Sequence, residues 1–385
     1  MNKYKLLWSA LEKIESGSIS IKLPNGEIKK FDSNNVGPKA QINIKTITAL
    51  DLSIHGGDVG FGESYMEEMW DSEDLPALLS FFTHNAESLE HYFHAKKWQS
   101  IWLFLITLFN KNSKRGSKKN ISYHYDLGNN FYQLWLDKSM TYSSAIFDSK
   151  NLTLHKAQIN KYNNILKKLS GQTVLEIGCG WGGFAIEAAK KKFDVTCLTL
   201  SKRQKQYFYN LIEGTGLDNN IKIKLQDYRD EKGIYDNIVS IEMFEAVGQK
   251  YWQKYFQTLN KCLKKKGKAV LQIITIDEEI FEDYRNRVDF IQKHIFPGGS
   301  LPTNTIIKNL ALDNGMKVIS ELSFGLDYAK TLEIWLKNFD KAKSKIIEQG
   351  FDEKFIRKWR FYLSYCIAGF LAKRTDVVQF EIINE

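Results

Sequence analysis

The second half of this sequence predicts an α/β fold built on a mostly parallel sheet, and three observations predict it. From Thr173 onward, short apolar runs of strand length alternate with longer helical runs. The first strand-like run ends in a cluster of glycines at Gly178, Gly180 and Gly182. Polar side chains stand at the ends of the strand-like runs, the edge where open α/β sheets hold ligands.

Taken in order, TVLEIG from Thr173 is the first strand and GGFAIEAAKK the helix after it. DVTCLTL is the second strand, SKRQKQYFYNLIE a helix, and IKIKLQ the third strand. YDNIVSIEM, the helical YWQKYFQTLNKCLKK and KAVLQIITI supply the fourth strand, a helix and the fifth strand. The tail from Lys330 reads as helices ending in a strand-like VVQFEII. Upstream, strand-like segments surround a Pro24-Asn25-Gly26 turn signal, and helical text runs from about Leu75 to Phe109. The expected organisation is a smaller N-terminal α+β domain over 1–109, a basic linker over 110–120 (NKNSKRGSKKN) and a catalytic domain over 121–385.

With 385 residues and a 43% apolar fraction, the chain can bury a sizeable core. Its formal charge of +9 suits an anionic partner, nucleic acid or an acidic membrane surface, and charge alone does not choose between them. Cys179, Cys197, Cys262 and Cys366 lie far apart with no CxxC pair, so neither a disulfide framework nor a cysteine zinc site is expected, which fits a reducing cytoplasm. His91 and His94 have helical spacing but no third ligand, so no metal site is assigned. The beginning of the chain carries no export signal, and the most apolar run, Trp98 to Phe109, is about half of the ~20 residues a spanning helix needs. It reads as a buried or interdomain helix, with a membrane-interface role as the alternative.

Three cofactors could use the glycine loop. A dinucleotide site wants an acid on the ribose about 20 residues further on, and the corresponding strand end is instead Thr199-Leu200-Ser201. A phosphate loop wants Lys-Ser or Lys-Thr after the glycines, which is missing. The acid here precedes the first glycine, as Glu176, an arrangement that resembles class I S-adenosylmethionine-dependent methyltransferases, with a Rossmann-like, mostly parallel seven-stranded sheet. In such a site Glu176, or groups it positions, holds the methionine end, while Asp227 and Tyr228 at the third strand's end offer adenine an acceptor and an apolar face.

Six separated blocks make the resemblance specific: SYHYDLGNNFY from Ser122, WLDKSMTYSSA from Trp135, LEIGCGWGGFA from Leu175, LTLSKRQ from Leu198, FEAVG from Phe244 and IFPGGSLP from Ile295. Together they resemble the cyclopropane fatty acid synthase family, and the stretch from Gly57 to Leu75 is similar to the N-terminal domain of some bacterial members. The resemblance implies that Tyr142, Ser143, the 174–182 loop, Thr199 to Gln204 with Ser201, and Tyr228 with Arg229 contact S-adenosylmethionine. It implies transfer of a methyl(ene) group to the cis double bond of unsaturated acyl chains in membrane phospholipids, giving cyclopropane fatty acids. It also implies a homodimer and peripheral attachment to the inner face of the cytoplasmic membrane.

An unactivated alkene is a poor nucleophile, so alkylation puts positive charge on the acyl chain, which aromatic faces and the charge of Glu245 would stabilise. A proton must then leave. The family uses a bound bicarbonate as base, and the matching positions here are Ser144, Glu245, Gln272 and Tyr328, with Ile274 contributing its backbone. Two of these four side chains differ from the familiar Cys, Glu, His and Tyr, and Ala246 replaces a frequent His. Loss of a methyl proton closes a ring; loss from a chain carbon, or a hydride shift, gives a methyl- or methylene-branched product instead. Cys366 falls at the family's cysteine position, and on composition it is a buried small hydrophobe rather than a nucleophile, since alkene alkylation needs no covalent intermediate. His124, inside the first block, reads as structural or cofactor-adjacent. An RNA or protein methyltransferase is the rival class, yet the text after the fourth strand is Glu242-Met-Phe-Glu245, unlike the Asn/Asp-Pro-Pro-Tyr pattern of amino-methylating nucleic-acid enzymes, so no nucleic acid is expected. A lipid-binding protein without activity is the second rival.

Overall fold

The computed structural model describes residues 4–90, 127–149 and 151–385. The apolar run at 98–109, the basic run at 110–120 and His91, His94 and His124 lie outside these residues.

The N-terminal part is a four-stranded sheet in the order β2-β1-β3-β4, formed by β1 (Ser18–Lys22), β2 (Ile28–Asp32), β3 (Lys39–Ile44) and β4 (Trp70–Asp71). Pro24-Asn25-Gly26 turns β1 into antiparallel β2, closed by the Leu23 N–H donating to the Glu27 carbonyl at 2.8 Å and the Gly26 N–H donating to the Leu23 carbonyl at 2.9 Å. Strand β3 alternates exposed and buried residues, as a sheet with one covered face requires. The helix Thr48–Met66 is bent at Gly57, and beyond the bend a Cβ on Gly60 would stand 2.1 Å from the carbonyl oxygen of Leu52, so only glycine permits this close return. The helix Leu75–His84 starts at Asp74, whose carboxylate accepts from the Ala77 N–H at 2.9 Å.

The seven-stranded sheet runs β10-β11-β9-β8-β5-β6-β7. Strands β5 (Thr173–Ile177), β6 (Asp194–Thr199), β7 (Ile221–Leu225), β8 (Tyr235–Ile241) and β9 (Leu263–Ile276) pair in parallel. Strand β11 (Thr375–Asn384) pairs antiparallel with both β9 and β10 (Met316–Ser323). The five strands and the final strand expected from the sequence are all present. Two details differ. The helix Trp252–Cys262 stops three residues earlier than expected, because the lysines that follow already belong to the exposed start of β9. Strand β10 was not anticipated: it lies at the sheet edge with five successive exposed residues, so it lacks the alternation that marks a half-buried strand.

The long helix Glu353–Leu371 joins the two sheets. Its Arg357 is buried, donates from Nε to the Tyr65 carbonyl and from Nη2 to that of Trp70 (2.8 Å), and lies 3.8 Å over the Tyr65 ring. Tyr365 on the same helix donates to Asp58 at 3.1 Å, and Asp58 also accepts from the Phe290 N–H. Removing one partner of a buried charged contact of this kind costs about 3–5 kcal/mol, so the N-terminal sheet is held firmly against the larger one.

Candidate active site

The C-terminal ends of β5, β6 and β8 open onto a cavity of about 150 Å³. Gly178 and Gly180 line it, and both have positive φ (83° and 52°). Gly182, with φ 93°, begins the helix Gly183–Lys190, and a Cβ there would sit 2.3 Å from the Phe208 ring. Its role is therefore packing beneath the loop. Glu176 is buried in the wall, where its nearest polar partner is the Cys197 thiol at 3.7 Å. Burial pushes its carboxyl up to about 8, against the pull of the thiol and the positive charge of Lys161. A buried carboxyl with so few partners favours a cation brought into the cavity beside it.

Thr199, Gln204 and Tyr228 line the same cavity with Tyr142 and Ser143. Thr199 Oγ1 donates to Gln204 Oε1 at 3.0 Å. Ser201, Asp227 and Arg229 are not among the lining residues. Ser201 caps the helix Lys202–Ile212 through the Gln204 N–H. Asp227 has both carboxylate oxygens bridged by Arg229, at 2.8 and 2.6 Å, so the acceptor expected for adenine is already engaged. Gln226, next to Asp227, does line the cavity and was not singled out from the sequence.

The run from Thr141 to Ala145 passes along one side of the cavity, which Thr141, Tyr142 and Ser143 line. Thr141 Oγ1 meets the Tyr162 hydroxyl at 2.6 Å, and the Tyr142 hydroxyl meets that of Tyr362 at 2.9 Å. Ser143 accepts from Gln158 at its carbonyl and from Lys161 Nζ at its hydroxyl, 2.7 Å away. The Ser144 N–H donates to Glu242 at 2.9 Å, and the Ala145 N–H donates to Thr331 at 3.1 Å.

Ser144, Gln272 and Tyr328 do converge, as expected, but on a protein carboxylate. Glu242 Oε1 accepts from the Ser144 N–H and from Gln272 Nε2 at 2.7 Å, and its Oε2 accepts from the Tyr328 hydroxyl at 2.6 Å. The Ser144 hydroxyl turns away to the Ala145 carbonyl. The Ile274 N–H goes to Glu245 Oε1, while Glu245 Oε2 is buried with no hydrogen-bond partner among the described residues. A bicarbonate does not fit this arrangement, because the donors that would hold it are already satisfied by Glu242 and Glu245. Glu242 has φ 50°, a left-handed conformation that glutamate adopts only under constraint.

Burial raises the carboxyls of both Glu242 and Glu245. For Glu245 the charge of Glu242 adds to burial, and the value reaches about 8. At Glu242 the Tyr328 hydroxyl, then Lys161, Gln272 and the Ser144 N–H, oppose the desolvation, whereas at Glu245 only backbone N–H groups do. Lys161 is fully buried, and its ammonium is pulled down to about 7 by desolvation against the attraction of Glu242, Asp137 and Glu176. The sequence reading passed over Lys161 although Leu154, Ala157, Gln158, Lys161 and Ile165 form one helical face. It used Glu242 only to exclude another enzyme class.

Beyond Glu242 lies a second cavity of about 2080 Å³, roughly twice the ~1,000 Å³ upper end of ordinary small-molecule sites. It is walled by Ile274, Glu245, Tyr328, Tyr362, Cys366 and Phe370, and it continues between Leu7, Leu11, Ile42 and Phe82 of the N-terminal part. Tyr142, Glu242 and Ala246 line both cavities and form the boundary between them. Tyr142 stands 5.4 Å from the Trp335 ring, and Tyr328 stands 4.5 Å from Phe370, so the boundary is aromatic. The Cys366 thiol is pushed far up by burial, then by the charges of Asp289 and Glu242, and has none of the thiolate character a nucleophile requires.

Among known proteins, the sequence model for mycolic acid cyclopropane synthetase matches residues 112–380. Tuberculostearic acid methyltransferase UfaA1 of Mycobacterium tuberculosis is 34% identical over 346 residues, covering 86% of this chain and 79% of that protein. The cyclopropane-fatty-acyl-phospholipid synthase of Escherichia coli is 32% identical over 354 residues, covering 90% of this chain and 88% of that protein. A solved structure of mycolic acid cyclopropane synthase CmaA1 with SAH and CTAB superposes with a TM-score of 0.65 at 32% identity, over 69% of this chain and 98% of that one. The glycine loop, the buried Glu176 and these likenesses together establish that the chain belongs to the mycolic acid cyclopropane synthetase family and is an S-adenosylmethionine-dependent, lipid-modifying methyltransferase.

Proposed function

We propose that this enzyme alkylates the cis double bond of unsaturated acyl chains while they are part of membrane phospholipids, giving cyclopropane fatty acids. The observation that carries the reading is the shared wall of Tyr142, Glu242 and Ala246, which brings the glycine-lined pocket and a long, mostly apolar cavity together at a buried carboxylate. An apolar acceptor of acyl-chain kind suits the mostly apolar second cavity, and the aromatic rims of Tyr142 and Tyr328 suit the positive charge that alkylation creates, by about 0.5–2 kcal/mol each. Phospholipid is favoured over mycolic acid because the Escherichia coli synthase aligns over 90% of the chain, whereas cyclopropane mycolic acid synthase 1 of Mycobacterium tuberculosis aligns over 68%. The reading carries with it a homodimer working at the cytoplasmic membrane's inner face and no nucleic-acid partner. Among the described residues no helix is long and apolar enough to cross a membrane.

A second product class, methyl- or methylene-branched acyl chains, is favoured by one observation: Gln272 and Glu242 form a base site unlike the one the ring-forming resemblance implies. The test is mass spectrometry of lipids formed from S-adenosylmethionine and vesicles of unsaturated phospholipid, with ring and branched products separated by chromatography. A saturated ring product supports the first reading and an unsaturated branched product the second. No gain of CH₂ on any phospholipid refutes both.

A further inference from the structure

Glu242 stands where the resemblance puts an anion brought in from solution. Its two oxygens take the Ser144 N–H (2.9 Å), the Gln272 amide (2.7 Å) and the Tyr328 hydroxyl (2.6 Å). Gln272 cannot turn away, because its own Oε1 accepts from Gln379 at 3.0 Å across the β9–β11 pair. The carboxylate lies on the wall between the two cavities, where the transferred carbon and the alkene must meet.

We propose that Glu242 is the base that takes the proton released after alkylation, so that this enzyme carries its base on its own chain and needs no bicarbonate. The proposal rests on the alkene-alkylation reading above. Of the two neighbouring carboxyls, Glu242 is the better held as an acceptor: the Ser144 N–H, the Gln272 amide and the Tyr328 hydroxyl all donate to it, and the buried Lys161 adds a favourable charge. Among the described residues Glu245 has the Ile274 N–H on one oxygen and no partner on the other, buried one, which favours its neutral form. The titratable groups facing Glu242 are Tyr328, Lys161, Glu245 and Cys366. Lys161 acts as a positioning residue: its Nζ holds Ser143 in place at 2.7 Å, and Ser143 precedes the residue whose N–H binds Glu242.

The balance is simple. The alkene π pair forms a bond to the methyl carbon while the carbon–sulfur bond breaks toward sulfur, leaving S-adenosylhomocysteine and a cation on the acyl chain. A C–H bond then gives its proton to Glu242, and its electron pair closes the ring or a new double bond. Glu242 returns the proton to water as product leaves.

The left-handed backbone at Glu242 makes glycine an easy substitute, so Glu242→Gly folds and vacates a site surrounded by the same donors. Wild type, Glu242→Gln and Glu242→Gly are assayed on unsaturated phospholipid vesicles in CO₂-free buffer with and without added bicarbonate, with S-adenosylhomocysteine binding as the check of fold. The expected result is wild-type turnover indifferent to bicarbonate, Glu242→Gln lowered at least 100-fold with binding intact, and Glu242→Gly restored in part by bicarbonate. Wild-type turnover that collapses without bicarbonate, or Glu242→Gln within threefold of wild type, overturns the proposal. A wild type that alkylates no phospholipid under any condition instead overturns the reading beneath it.

Discussion

Replacing Glu245 by Gln should change stability by an amount set by pH. In the folded protein the Glu245 carboxyl is raised from 4.5 to about 8 by burial and by the charge of Glu242. Between those values the unfolded chain has released a proton that the folded chain still holds, so stability falls as pH rises. Integrating from pH 5 to pH 8, one such group costs about 3 kcal/mol. Glutamine is neutral at every pH and removes this slope, while its buried NH₂ adds only a pH-independent offset. Urea unfolding followed by tryptophan fluorescence at pH 5, 6.5 and 8 should therefore show the variant gaining about 3 kcal/mol relative to wild type across the series. Cofactor affinity should stay nearly intact, since Glu245 lines the acyl cavity and not the cofactor pocket. A stability difference that is the same at all three pH values would refute the buried, neutral carboxyl. Lost cofactor binding would refute its placement.

Cys366→Ser should keep turnover within about threefold of wild type, and the thiol should resist iodoacetamide at pH 8, because burial holds it neutral. Gly182→Ala should destabilise the fold by roughly 2–4 kcal/mol, as its Cβ meets the Phe208 ring, whereas Gly180→Ala, with nothing within 4 Å, should fold well but bind S-adenosylhomocysteine more weakly by calorimetry. Changing Lys114, Arg115, Lys118 and Lys119 together to Gln should weaken binding to acidic vesicles by about 1 kcal/mol per residue, an effect that shrinks in high salt; unchanged sedimentation with vesicles would remove this basic run from membrane contact.

The parallel sheet was legible because buried central strands such as β5 (TVLEI) and β8 (YDNIVSI) carry short apolar stretches that end at a glycine or an acid and alternate with helical runs. Edge strand β10 was not, since its exposure erases the pattern. Most of the cofactor wall followed from strand-end position, yet Asp227 and Arg229 bind each other, a pairing two residues apart that no spacing rule distinguishes from two ligand contacts. Ser144, Gln272 and Tyr328 were legible as a convergent set. The carboxylate they converge on was not, because Glu242 reaches it only through a left-handed backbone at the end of β8.

The run from Thr141 to Ala145 touches everything in turn. Tyr142 and Ser143 face the cofactor pocket, Ser144 holds the base, and Ala145 is tied to Thr331 on the helix Gly325–Lys341, which also carries Tyr328. A ligand that moves this extended strip from one side must move it for the other. Thermodynamic linkage then makes the coupling mutual: the factor by which S-adenosylmethionine tightens lipid binding is the factor by which lipid tightens S-adenosylmethionine. Five consecutive residues thus join the two sites, and whatever effect one ligand has on the other's affinity is returned in equal measure.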